Sequence, residues 1–64
     1  MTNEELLATA EIILLKAARR KKDVVDLQRA INTLDVCIKD GSIRSIEFAR
    51  EVLITEIEEL KERW

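Results

Sequence analysis

Proline, histidine and tyrosine are absent from this 64-residue chain, glycine and cysteine occur once each, and the aromatics amount to 3%, Phe48 and Trp64. Each shortage removes a possibility. Without proline no helix is obliged to kink. A lone Cys37 closes no internal disulfide, and without histidine there is no Cys/His zinc site, no Glu-x-x-His di-metal bundle site and no base to activate Cys37 as a nucleophile. Cys37 therefore reads as a small buried hydrophobe in a reducing compartment. The longest unbroken apolar run is Ile12-Ile13-Leu14-Leu15, far short of the roughly 20 residues of a membrane span. Glu4 and Glu5 replace the basic residues of a signal peptide. A cytoplasmic protein, or a purely recombinant one, is expected, with no membrane partner.

What is present is helix-forming. Hydrophobic residues make up 47% and charged residues 38%, the balance of a packed helical domain rather than a disordered chain. Residues 1–64 are expected to form one domain. Ordering them costs on the order of 100 kcal/mol in conformational entropy, so dense packing or association must supply the stability. A net charge of −2 gives the whole chain no attraction to nucleic acid.

The pattern predicts an all-α, small antiparallel three-helix bundle with helices at about 3–20, 24–39 and 43–63. Thr2-Asn3-Glu4-Glu5 has capping-box form. Leu6, Leu7, Ala10, Ile13, Leu14 and Ala17 then define one apolar stripe. Lys16, Arg19, Arg20, Lys21 and Lys22 suit the negative end of the first helix, and Asp23 is expected to cap the second after a turn at Lys21 to Asp23. One long bent helix from Asn3 to Lys39 is the competing arrangement. The second stripe is Val24, Leu27, Ile31, Leu34 and Ile38, with Ala30 and Cys37 beside it. Gly41, the only glycine, ends that helix and Ser42 opens the next. The third stripe is Ile46, Ala49, Leu53, Ile57, Leu60 and Trp64, with Ile43 and Val52 at its margins.

Three groups of residues are candidates for function. Asp40, Gly41, Ile43 and Glu47 resemble the second half of an EF-hand calcium loop, but Val36 and Ile38 fall where the first ligands belong, which disfavours calcium. Lys16, Arg19, Arg20, Lys21 and Lys22 form a basic cluster able to contact phosphates, making weak nucleic-acid binding the alternative function. The apolar surplus outside the stripes is Ala8, Ile12, Leu15, Val25, Val36, Phe48 and Ile54. Ile12 with Leu15, and Phe48 with the marginal Val52, lie one turn apart and are the candidate partner-binding residues. The glutamates at 56, 58, 59 and 62 read as a solvated acidic face.

No catalytic constellation, metal site or cofactor site can be assembled from these residues. The expected function is a non-enzymatic structural or protein-interaction bundle, its partner a second copy or another helical protein. Three antiparallel helices of this length, ending in Ile57-Glu58-Glu59-Leu60-Lys61, resemble microtubule-interacting-and-trafficking domains, a likeness that implies a groove for partner helices; the tyrosines usual there are missing. Regular helices without proline or histidine, closed by Trp64, also suit an engineered or redesigned scaffold.

Overall fold

Thr2 starts the first helix, α1 (Asn3–Lys16), by a reciprocal cap: its Oγ1 accepts from the Glu5 N–H at 3.1 Å, and its own N–H donates to Glu5 Oε1 at 3.2 Å. These bonds satisfy two amides that a helix start leaves unpaired, and they hold the Glu5 carboxyl below its usual pKa. The structure, a computed structural model, describes residues 2–17 and 20–63. Two further helices follow, α2 (Lys21–Asp40) and α3 (Ile43–Arg63), and among the described residues there is no strand.

The first junction lies earlier than the charge pattern predicts. Instead of helices ending at 20 and restarting at 24, α1 stops at Lys16, and Ala17 closes it by donating to the Ile13 carbonyl at 2.9 Å. Arg20, with extended backbone at φ −114° and ψ 90°, is the N-cap of α2, so Lys21 to Asp23 are helical rather than a turn. The same extended residue separates α1 from α2 and rules out one continuous helix. The physical reason lies in Asp23, four residues before Leu27 and therefore on the buried stripe. Inside the first turn its carboxylate faces the positive end of the helix and reaches Arg63; as a cap it would sit outside the helix.

The second junction follows expectation, with α2 ending one residue later than predicted, at Asp40. Gly41 adopts the left-handed conformation, φ 78° and ψ 9°, and donates to the Cys37 carbonyl at 3.0 Å. The Ser42 carbonyl then accepts from Ile46 at 2.9 Å.

Each helix gives the core a stripe: Leu6, Ala10 and Ile13 from α1; Leu27, Ala30, Ile31 and Leu34 from α2; Ala49, Leu53, Ile57 and Leu60 from α3. Leu7, Leu14, Cys37, Ile38, Ile46 and Ile54 pack against them, half-buried. Five leucines, Leu6, Leu27, Leu34, Leu53 and Leu60, are fully enclosed, each contributing roughly 2 kcal/mol of burial. The start of α2 meets the end of α3 through Asp23 and Arg63, so these helices are antiparallel. Asn3 at the start of α1 accepts from Arg50, and Leu6 and Thr9 lie beside Ile57 and Lys61, so α1 runs with α3. The topology is up-down-up. At 14 residues, or about 21 Å, α1 is shorter than α2 with 20 and α3 with 21. The Gly41 end of the α2–α3 hairpin therefore stands clear of it.

A Cβ at Gly41 would meet no atom within 4 Å, so substitution there costs backbone conformation alone. Gly41→Ala is expected to lower the unfolding free energy by about 1 kcal/mol and Tm by about 4–8 °C, with Gly41→Asn losing less. Urea and thermal unfolding check both.

Candidate functional site

The candidate partner-binding residues all lie on outer faces. Ile12 is 57% exposed, Leu15 78%, Phe48 69% and Val52 43%. Phe48 and Val52 share a shallow depression with Glu51, Thr55 and Glu56. Ile12 and Leu15 belong to a separate patch on α1, so the two pairs do not make one surface. From the rest of the apolar surplus, Ile54 is absorbed into the core margin, whereas Ala8, Val25 and Val36 remain exposed.

A surface that the residue pattern did not single out runs along α2. Val24, Gln28, Asn32 and Val36 form one row at four-residue spacing, and Val25, Arg29, Thr33 and Cys37 form the next, with a shallow apolar groove between them. Such i±4 grooves are where a second helix lays its ridge. The groove's polar groups are partly engaged within α2: Gln28 Nε2 donates to Asn32 Oδ1 at 2.9 Å, and Thr33 Oγ1 donates to the Arg29 carbonyl at 2.8 Å. Its one charged side chain is Arg29. Val25 and Val36, spaced eleven residues apart on the polar side of α2, were the available signal for it.

The basic cluster is divided by the junction. Lys16 closes α1, where a cation suits the dipole; Arg20, Lys21 and Lys22 open α2, where it does not. Helix electrostatics thus account for Lys16 and not, as the sequence pattern suggested, for the whole group. All four are exposed, and Arg19 lies outside the described residues. Arg20 Nη1 is 3.9 Å from Asp23 Oδ2.

Among the described residues Asp23 is the buried charge, 5% exposed, and its Oδ1 accepts from Arg63 Nη1 at 2.7 Å. The residue pattern makes Asp23 a cap; the charges at the facing ends of two apolar stripes, Asp23 on α2 and Arg63 on α3, are the signal for the pair. Near this pair, Glu56 has its carboxyl pushed above the usual value, first by burial and then by Asp26 and Glu59, with Arg63 opposing.

The calcium-loop resemblance meets a different backbone. Val36 to Asp40 belong to α2 and Ile43 to Glu47 to α3, leaving only Gly41 and Ser42 between them, whereas an EF-hand loop needs about 12 residues. Among the described residues no group of three or more His, Cys, Asp or Glu side chains is placed to share a metal. Cys37 is a free, half-buried thiol. No described helix is long and apolar enough to cross a membrane.

Comparison of the chain with protein-family models, with curated proteins and with solved structures finds no match. The likeness to microtubule-interacting-and-trafficking domains accordingly rests on helix number and Ile57–Lys61 alone.

Arg63 is half-exposed, so solvent screens the pair, yet its removal leaves a buried carboxylate whose remaining ion-pair partner among the described residues is Arg20 at 3.9 Å. Arg63→Ala is expected to cost about 1–2 kcal/mol, and a double-mutant cycle with Asp23→Ala to give a coupling near 1 kcal/mol. Urea unfolding of the four proteins measures it, and additivity would show that the two charges act independently.

Proposed function

We propose that this chain is a non-enzymatic protein-interaction module that binds a helical partner through the apolar outer faces of its helices, with Ile12, Leu15, Phe48 and Val52 as contact residues. The observation that carries this reading is the placement of Phe48 and Val52: large apolar side chains held in water beside a core that is already closed by eleven other buried residues. A folded monomer gains nothing from them there, and a partner helix recovers their burial. The chemistry is complementarity of shape, with the carboxylates of Glu51 and Glu56 at the rim setting orientation.

The test separates folding from binding. Phe48→Lys with Val52→Lys, and Ile12→Lys with Leu15→Lys, are each expected to change monomer unfolding by less than about 0.5 kcal/mol per site. At least one pair should abolish association, read by sedimentation for self-association and by comparative affinity capture for other partners. Variants that unfold the chain would show these residues to be core, and unchanged binding in both pairs would remove the proposal.

The placement of Arg20, Lys21 and Lys22 supports a second reading, weak nucleic-acid binding, because three exposed cations persist where the helix dipole opposes them. On that reading DNA or RNA produces a salt-sensitive mobility shift that Lys21→Glu with Lys22→Glu abolishes. Absence of any shift at low salt discards it.

A further inference from the structure

We propose that the helical partner is a second copy of this chain, packed α2–α3 face to α2–α3 face about a twofold axis parallel to the helices. Phe48 and Val52 of each copy then lie on the outer groove of the other's α2. The inference rests on the interaction-module reading and identifies its partner.

Shape is the first argument. Phe48, Val52 and Glu56 form a ridge at four-residue spacing on α3, and the α2 groove runs between rows of the same spacing, which is the relation of a helix ridge to its receiving groove. Both flank one seam. Asp23, Asp26, Ala30, Thr33 and Cys37 follow the side of α2 that contact with Arg63 marks as facing α3, and Phe48, Val52 and Glu56 lead along α3 toward that same contact.

Charge is the second. Arg29 is the one charged residue of the α2 groove, and Glu51 and Glu56 are the charged residues of the α3 depression. Glu56 already sits among Asp26 and Glu59, so a further cation there is favourable.

Register is the third. Within one chain the Asp23–Arg63 bond at one end and the Gly41 turn at the other place Cys37 level with Phe48, Thr33 with Val52, and Arg29 with Glu56. A twofold axis along the helices exchanges α2 for α3 and keeps every level. Across the interface Phe48 therefore meets Val36 and Cys37, Val52 meets Thr33, and Glu56 meets Arg29. A twofold axis across the helices would instead stack α3 on α3 and set the Glu51 and Glu56 carboxylates of both copies against each other. Charge thus selects the lengthwise axis, and the contact is closed and self-complementary.

Sedimentation equilibrium from micromolar to millimolar protein tests the assembly with wild type, Arg29→Glu, Glu56→Arg and the double variant. Arg29 is exposed and Glu56 half-buried at the edge of the α2–α3 seam, and circular dichroism checks that each variant keeps the fold. Wild type is expected to dimerise, each single reversal to weaken the dimer by at least about tenfold, and the double variant to recover to within about threefold of wild type. A wild type that stays monomeric overturns the inference, as does a dimer in which the double variant is no stronger than the singles. A monomeric wild type that still loses a captured partner on Phe48→Lys would leave the interaction-module reading standing while this inference falls. A dimer indifferent both to the charge variants and to the apolar lysine variants would remove both.

Discussion

Three pairs of apolar residues spaced by seven, Leu6 with Ile13, Leu27 with Leu34 and Leu53 with Leu60, carry the centre of this protein. A seven-residue repeat falls slightly short of two α-helical turns, so helices that keep such rows in contact lie nearly antiparallel or parallel and wrap gently to the left. With one cysteine and therefore no internal disulfide, the entropy cost of ordering the chain is set against the burial along these rows. Every other feature fits around that seam. The alanines Ala10, Ala30 and Ala49 let the helices approach, and the half-buried Leu7, Leu14, Ile38 and Ile46 seal its edges.

An apolar seam of this kind specifies contact better than it specifies alignment, because a shift of one heptad restores leucine against leucine. The Asp23–Arg63 pair removes that freedom. Sliding α3 by seven residues would exchange Arg63 for Glu56 and set carboxylate against carboxylate at a buried position. Charge at the end of the seam and glycine at its turn fix the two ends of the hairpin; α1, tied by Asn3 to Arg50 and by its own apolar row, is laid against an alignment already made.

The fold was legible because local preference and long-range packing agree. The capping box at Thr2, the lone glycine and three stripes at helical spacing all describe the same three helices. The junction after Lys16 was misplaced because no glycine or proline marks it and the basic run looks like a helix end; what decides it is a contact with Arg63, forty residues away in sequence. The outer residues divide likewise. That Phe48, Leu15 and Ile12 lie outside the stripes follows from angular position alone, whereas the groove along α2 depends on how Gln28, Asn32 and Thr33 fold their polar ends back onto their own helix and leave apolar stems exposed. Periodicity carries no record of that.

An odd number of helices gives the bundle a polarity that an even number would cancel. α1 begins in the half of the molecule nearer Gly41 and α3 ends at the opposite pole, beside the start of α2, across a body with a long dimension of 33 Å. Segments attached at the two ends of the chain leave in opposite directions. The bundle thereby has two distinguishable poles, with Thr2 toward one and Arg63 at the other.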